Sequence, residues 1–480
     1  MLWVALELPA LPLQIAERAG ACPEALVIAE GTKQRPAVAC ANAAAKRAGI
    51  REGQAVAAAK ALAGGLRVIE RNPDAEREAL ESLAAWAGQF TPMAVVESQG
   101  IVLEVQACLR LFGGHAPLTS AIARGVRALG FHAALGIAPT PLAARVIARA
   151  EAQGLQVRAC LDPADLRSRL EDLPLFLFDW PERALARLTD LGILRVKDIL
   201  ALPMEGIARR FGPEIVLALG RLMGTQADPR QPYAPPPRFR SRLELPAEAE
   251  GVEALLFPLR RLLAEFEGVA RGRGAGAQRL LLTLEHGRKA RTRMELDFAS
   301  PEREPDFILS IAREKLGRLQ LAAPTVAISL RADALLAYVP RTAAWLPGAQ
   351  EQAIGRERLL ERLAARLGRD RVFGIAIAND HRPERNWGRT PFKGEPPIPL
   401  AERPIWLLQR PQKLVTDSGE PMLQGALSLR AGPERIEAGW WDGLEVARDY
   451  YVATNPNGES YWVYRDHRDP DSWYLHGVFA

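Results

Sequence analysis

The chain has 480 residues, and its 62 lysines and arginines against 57 acidic residues give a formal net charge of only +5. A single hydrophobic core rarely extends beyond about 300 residues, so this length predicts several domains. No uncharged apolar run reaches the roughly 18 residues that a membrane span needs, and the four cysteines form no CxxC pair, which argues against a zinc site and suits a reducing cytoplasm.

Most of the basic residues are arginine, whose planar guanidinium group suits phosphate. A polyanion is therefore a possible partner, although a GC-rich genome would also favour arginine codons whatever the function. The positions of the arginines have to decide between these two explanations.

Residues 1–165 alternate short apolar strands with amphipathic helices. The pattern predicts strands at 2–6, 66–70, 100–105 and 132–140, and helices at 72–90, 117–130 and 141–154. This alternation is typical of an α/β or α+β domain.

Short helices follow in residues 174–224, with an LGI turn (191–193) between two of them. The pattern resembles a helix-hairpin-helix, in which Gly192 permits the turn and the helix from Arg195 presents N–H groups to a DNA phosphate. Arg195 and Lys197 would add positive charge to such a site. An ordinary αα-hairpin with a glycine turn would have the same pattern. The proline-rich stretch QADPRQPYAPPPRF (226–239) predicts a linker.

Residues 239–331 show the order β-α-β-β-α-β, which predicts a split βαβ, ferredoxin-like domain. Arginines recur at alternate positions of its strands, so their side chains share one face of the sheet. Such a face could bind a duplex backbone, or it could be a solvated face whose arginines pair with Glu285 and Glu295. The candidate DNA-binding residues are Arg240, Arg242, Arg279, Arg288, Lys289, Arg291 and Arg293.

The last part of the chain is polar and then rich in aromatic residues. RERLLERLAARLG (356–368) predicts a helix, and NPNG (455–458) between two alternating aromatic runs predicts a hairpin. We expect a small antiparallel β module whose core takes up most of the aromatic side chains.

Residues 1–335 resemble the Y-family translesion DNA polymerases in the order of their elements. AVACANAAAKRAGIREGQAVAAAKAL (37–62) is similar to a fingers motif of that family, and LGIAPTPLAARVIA (135–148) to a palm motif. The resemblance implies a palm with inserted fingers (1–165, fingers about 15–72), a thumb (166–225), a linker (226–238) and a little finger (239–335). Two further segments, an adaptor linker (336–400) and an aromatic β module (401–480), follow.

The residues that would carry polymerase chemistry are missing from the matching positions. The resemblance places Ala5, Gln99 and Gly100 where the family has metal-binding carboxylates, and leaves Glu7, Glu97 and Glu104 at offset positions. Ala43 and Lys46 replace the triphosphate-contacting Tyr and Arg of the fingers, while Thr140, Pro141 and Arg145 replace palm Asn and Lys residues. Two-metal phosphoryl transfer requires carboxylates on both ions, so we expect no catalysis, no metal and no cofactor. An active Y-family polymerase remains the alternative.

The C-terminal segments DHRPERNW (380–387) and GPERIEAGWWDG (432–443) resemble the ImuB family, the degenerate Y-family-like proteins of the bacterial ImuA–ImuB mutagenesis cassette. This resemblance implies a DNA-damage-inducible (SOS response) adaptor that binds primer–template DNA and joins ImuA, an error-prone C-family DNA polymerase and the sliding clamp. In TAAWLPG (342–348), Trp345 and Leu346 are the candidate clamp-binding pair. A general DNA-binding protein without these partners is a further alternative.

Overall fold

A computed structural model describes residues 1–339, 349–378, 380–390 and 403–479, apart from the single positions 21, 23, 33, 288 and 322. The chain divides into two compact units, Met1–Arg366 and Leu367–Ala480. Across the described residues, every helix is too short or too polar to cross a membrane.

Residues 3–152 form two small sheets with helices packed around them. The strands are β1 (Trp3–Glu7), β2 (Leu26–Thr32), β3 (Arg35–Ala41), β4 (Arg67–Glu70), β5 (Ala94–Glu97), β6 (Gly100–Glu104) and β7 (Ala134–Ala138). The helices are α1 (Leu11–Glu17), α2 (Ala43–Arg47), α3 (Val56–Leu62), α4 (Pro73–Ala87), α5 (Leu109–Phe112), α6 (His115–Ala128) and α7 (Pro141–Ala152). The strands and helices that were predicted in this region are confirmed to within a few residues at their ends.

The first sheet, which we call the palm sheet, has the order β5-β6-β1-β7 and is antiparallel throughout. Its central strand β1 is buried on both faces, because Val4 and Leu6 join one hydrophobic cluster and Trp3 and Ala5 join another. The second sheet, in the fingers segment, has the order β3-β2-β4.

Five short helices follow: α8 (Leu166–Leu170), α9 (Glu182–Asp190), α10 (Val196–Leu200), α11 (Met204–Phe211) and α12 (Pro213–Met223). Their apolar side chains share a core with Trp3, Ala5 and helix α7. The thumb helices therefore pack directly on the palm sheet. Residues 226–238 form neither a helix nor a strand, as predicted.

The next domain, which we call the little finger, has the predicted order of elements. They are β8 (Phe239–Ala249), α13 (Val252–Gly272), β9 (Ala275–His286), β10 (Lys289–Glu302), α14 (Pro305–Leu316) and β11 (Thr325–Ala332), with a short β12 (Leu336–Ala337) against β9. The sheet order is β10-β9-β11-β8, and every neighbouring pair is antiparallel. Strands β8 and β9 are therefore parallel to each other with β11 between them, which is a split βαβ unit. Helix α15 (Ala349–Leu367) begins earlier than predicted.

The second unit is an antiparallel β module. It contains β13 (Gly374–Ile377), β14 (Trp387–Thr390), β15 (Trp406–Lys413), β16 (Val415–Asp417), β17 (Glu420–Met422), β18 (Ser428–Ala438), β19 (Val446–Thr454), β20 (Ser460–Asp466) and β21 (Asp469–Val478). Its main sheet has the order β15-β21-β20-β19-β18. The NPNG hairpin joins β19 to β20 as predicted, with the Asn455 side chain accepting the N–H groups of Asn457 and Glu459.

Candidate functional site

The positions that match the family's metal ligands offer no carboxylate to a metal ion. Ala5 lies in the middle of β1 and is buried, with Val102 and Gly136 as its neighbours on the two flanking strands. Gln99 lies on the exposed turn between β5 and β6. Its neighbour Gly100 begins β6 opposite Glu7.

Gly100 leaves no space for any side chain. A Cβ atom at this position would lie 1.9 Å from the main-chain oxygen of Leu6, and backbone atoms of β1 cannot move aside as a flexible side chain can. The close approach of β1 and β6 thus requires glycine at this position. A carboxylate side chain could not be placed here without moving β1.

Glu7 is buried and pairs with an arginine of the palm helix. Its carboxylate accepts a hydrogen bond from Arg149 Nε on α7 at 3.1 Å, and the residue is only 4% exposed. Burial raises the pKa of Glu7, and the positive charges of Arg149 and Arg145 oppose that rise. Glu7, which the sequence places at an offset position, is therefore not a free surface carboxylate.

Arg145 and Arg149 lie one helical turn apart on α7 and together connect the palm acids. Arg145 binds Glu97 and Asp179, each at 2.9 Å. Arg149 binds Asp179 at 2.7 Å in addition to Glu7. Burial alone would raise the pKa of Asp179, but the hydrogen bonds and charges of Arg149 and Arg145 outweigh it and lower that pKa.

A third arginine reaches the same cluster from the linker. Arg230 pairs with Glu97, and its other terminal nitrogen binds Asp228 at 2.7 Å. We call Glu7, Glu97, Asp179, Arg145, Arg149 and Arg230 the palm ion cluster. Its carboxylates are already neutralised by guanidinium groups, and among the described residues no three His, Cys, Asp or Glu side chains come together as a metal-binding group.

Sequence reasoning missed Asp179, Arg149 and Arg230 as members of this cluster. The partners lie between 30 and 142 positions apart in the chain, so no local spacing marks them. The one available signal was the i, i+4 arginine pair on α7, which places two guanidinium groups on one face of a helix.

Three further positions of the polymerase resemblance lie outside the palm ion cluster. Thr140 caps α7 by accepting the N–H of Ala143, and its hydroxyl donates to the Leu222 carbonyl on α12 at 3.0 Å. In the fingers, Ala43 and Lys46 are exposed on α2, and Lys46 lies 3.5 Å from Glu52.

The helix-hairpin-helix prediction needs one correction. Gly192 adopts a positive φ of 75° at the predicted turn, but the N–H groups at the start of α10 are not free for a phosphate. The N–H groups of Val196 and Lys197 donate to main-chain carbonyls at 3.0 and 2.8 Å. The Asp198 carboxylate accepts the N–H groups of Leu194 and Arg195 at 3.1 and 2.9 Å. Any DNA contact at this turn has to come from side chains.

The side chains of Arg195 and Lys197 do lie together at the surface. Both bind Asp172, at 3.1 and 2.8 Å, and each is about half exposed. The hydrogen bond from Lys197 lowers the pKa of Asp172. An exposed pair of this kind contributes little to stability, so it can exchange its carboxylate for a phosphate at low cost.

The little-finger sheet exposes the predicted arginine face. Along β8, Arg240 and Arg242 are exposed, while the residues that alternate with them (239, 241 and 243) are buried. On β10, Arg291 and Arg293 are exposed. Arg279 projects from β9 opposite Asp297.

The arginines of that face differ in whether they have an acidic partner. Ion pairs neutralise three of the arginines: Arg242 binds Glu285 at 3.0 Å, Arg279 binds Asp297 at 2.9 Å, and Arg291 lies 3.6 Å from Glu285. Within the described part of the chain, Arg240 and Arg293 have no acidic partner within ion-pair distance and are the two uncompensated cations among the candidates. Arg288 and the clamp-binding candidates Trp345 and Leu346 lie outside the described residues, as does the side chain of Lys289.

Comparisons with known proteins agree with this architecture. Residues 22–149 match the impB/mucB/samB family. The match covers part of the palm and the fingers. The prediction of a Y-family-like chain is thereby confirmed, as is the predicted fold class of a multidomain α+β protein with a C-terminal β module.

The chain is also similar to curated proteins over most of its length. It is 28% identical to Protein ImuB of Caulobacter vibrioides strain NA1000 / CB15N over 459 residues, which cover 87% of this chain and 97% of that protein. Protein ImuB of strain ATCC 19089 / CIP 103742 / CB 15 gives the same values. The predicted resemblance to ImuB is confirmed.

Solved structures of Y-family DNA polymerases are similar at low sequence identity. A chimera of the polymerases Dbh and Dpo4 is 16% identical, with a TM-score of 0.41, and the match covers 69% of this chain and 98% of that one. DinB from Sulfolobus solfataricus is 16% identical, with a TM-score of 0.40 over 70% of this chain and 99% of that one.

Proposed function

We propose that the chain is a non-catalytic, Y-family-polymerase-like adaptor of DNA-damage-induced translesion synthesis. It binds primer–template DNA through its thumb and little finger and brings an error-prone C-family polymerase, ImuA and the sliding clamp to the lesion. The family match and the similarity to ImuB over 87% of the chain support a role connected with translesion synthesis.

The palm ion cluster is the observation that carries the non-catalytic part of this proposal. Two-metal phosphoryl transfer needs anionic ligands that bring the attacking and leaving oxygens into line and neutralise the developing charge. Here Gly100 has no space for a ligand. The nearby carboxylates of Glu7 and Glu97 are bound by arginines. A metal ion would have to displace guanidinium groups that cannot lose their charge.

The arginine face of the little finger supports the DNA-binding part. Contacts from arginine to backbone phosphate give affinity without sequence preference, which suits a protein that has to act wherever a lesion occurs. Arg240 and Arg293 have no ion-pair partner among the described residues, so a phosphate can bind them without breaking an ion pair. Arg195 and Lys197 add a second basic position on the thumb.

Primer extension tests the proposal. Purified full-length protein is incubated with a primer–template, the four deoxynucleotides and Mg²⁺ or Mn²⁺, beside anisotropy measurements of DNA binding under the same conditions. We expect binding without extension. Template-dependent incorporation that is lost in Glu7→Gln or Glu97→Gln would instead establish an active polymerase.

The partner half of the proposal is tested separately by a pull-down with the sliding clamp. Binding by the full chain that is lost in a Trp345→Ala, Leu346→Ala double variant is expected of the adaptor. Absence of any clamp binding, with DNA binding retained, would support a general DNA-binding protein instead.

A further inference from the structure

The predicted linker is fastened along the edge of the palm sheet. The main-chain N–H of Tyr233 donates to the carbonyl of Ala94 at 2.7 Å, and Arg230 pairs with Glu97. As the linker advances by three residues β5 goes back by three, so the segment runs antiparallel to this edge strand. Arg273, just after α13, donates to the carbonyls of Pro235 and Pro236 at 2.7 and 2.6 Å.

We call residues 230–236 the strap, and its Tyr233 N–H pairs with one main-chain carbonyl on the open edge of β5. Its prolines lack N–H groups, so it caps β5 without offering a new edge for further pairing. The segment that joins the thumb to the little finger is thereby attached to the palm at Arg230 and Tyr233 and to the little finger at Pro235 and Pro236.

The little finger also packs on the palm through helix α13. Eleven of the 21 residues of α13 are buried, which is more than the single apolar stripe of a helix that covers only its own sheet. On its second face, Gly268 meets the indole ring of Trp86 on α4, and a Cβ at Gly268 would lie 2.6 Å from the ring nitrogen. Gly125 on α6 contacts the opposite part of the same ring. Trp86 is thus held between two helices that each have glycine at the contact.

A buried ion pair crosses the same interface. Arg18, which follows α1, binds Glu265 on α13, and the two side chains are 7% and 1% exposed. Glu265 also accepts hydrogen bonds from Ser82 on α4 and from Ser241 on β8, the latter at 3.0 Å. The Arg18 guanidinium group also donates a hydrogen bond from Nε to the Leu129 carbonyl at 2.9 Å.

The buried Arg18–Glu265 pair favours one position of α13 on the palm. Burying two charges is costly unless each keeps its hydrogen bonds, and a shift of α13 by one turn would leave Glu265 buried without Arg18. If the little finger separated from the palm, Arg18 and Glu265 would each be hydrated by water. The ion pair therefore forms only in the docked arrangement.

We infer that the little finger is clasped to the palm as one rigid body, through the strap along β5, the Trp86 contact and the Arg18–Glu265 pair. The clasp keeps the arginine face in a fixed orientation relative to the palm and thumb. The protein therefore offers DNA a preformed surface and does not reposition its little finger to bind. This inference concerns the mechanics of the chain and does not depend on which partners it recruits.

A distance measurement between two spin labels tests the clasp in the full-length chain. One label is placed at Glu78→Cys on α4 and the other at Asp306→Cys on α14, both exposed positions, with the partly exposed Cys108 replaced by serine. We expect double electron–electron resonance to give one narrow distance distribution. A broad or multiply populated distribution in the wild-type background would overturn the inference.

Two variants of the interface make the test specific. Gly268→Ala and Arg18→Met should each broaden the distribution or add a second, separate distance. Their matched controls are Gly206→Ala, a helical glycine with open space around it, and Glu267→Gln, whose partner Arg271 lies on the same helix; both should leave the distribution narrow.

Folded Gly268→Ala and Arg18→Met proteins that retain the narrow distribution would contradict the clasp. If both variants fail to fold, the wild-type distribution still decides. Trypsin cleavage after Arg230 gives an independent readout, because a strapped linker is protected and a free one is cut rapidly.

Discussion

Removing the two uncompensated arginines of the little-finger face should change the salt dependence of DNA binding by a calculable amount. Arg240 and Arg293 are exposed and have no ion-pair partner in the described chain, so each can neutralise one phosphate. Each phosphate contact contributes about −0.9 to the slope of log affinity against log salt concentration. The slope of the double alanine variant should therefore be flatter by about 1.8. When the salt concentration rises roughly fourfold, the factor by which its affinity falls should be about ten times smaller than the factor for the wild type.

Fluorescence anisotropy with a labelled primer–template over a series of salt concentrations measures this slope. The matched control is the Arg271→Ala, Arg313→Ala double variant, which removes the same charge from the two helices on the other side of the sheet. Its slope should stay at the wild-type value. Equal flattening in both double variants would show that net charge, and not this face, governs binding, and an unchanged slope in the first would show that Arg240 and Arg293 contact no phosphate.

Gly100→Ala should destabilise the first unit by about 3 kcal/mol in urea unfolding, because the new Cβ overlaps the Leu6 carbonyl and the backbone of β1 has to shift; wild-type stability would refute the argument that this position cannot hold a ligand. In the second unit, the hydrogen bond from Arg382 lowers the pKa of Asp442 to about 2. Because the folded pKa lies below the unfolded one, the stabilisation is complete above about pH 4 and is lost as the pH falls through about 2. Asp442→Asn should therefore be less stable than the wild type at neutral pH, with a difference that disappears toward pH 2, while Asp417→Asn should match the wild type throughout in acid unfolding followed by tryptophan fluorescence.

The order of elements could be predicted from the sequence because it depends on local patterns. Alternation along β8 placed Arg240 and Arg242 on the same exposed face, and the NPNG turn identified the hairpin of the C-terminal module. These signals need only neighbouring residues, so tertiary packing had little opportunity to override them.

The contacts that define the candidate site could not be predicted in the same way. Arg149 and Glu7 are 142 positions apart, and Arg230 and Glu97 are 133 apart. Proline-rich composition correctly predicted a segment without helix or strand at 226–238, but composition does not tell a free linker from one that is pinned to a sheet edge. The expectation of free N–H groups at the start of α10 was wrong for a similar reason. The carbonyls that accept these N–H groups include some that are more than 20 residues away in the chain.

The central claim is that arginines, and not metal ions, neutralise the palm carboxylates. Electron paramagnetic resonance of Mn²⁺ tests it most directly, because free Mn²⁺ gives a sharp signal that weakens when the ion binds to protein. With primer–template and nucleotide present, titration of the wild type should match that of a Glu7→Gln, Glu97→Gln double variant at every concentration. Stoichiometric uptake of Mn²⁺ by the wild type that is lost in the double variant would contradict the claim.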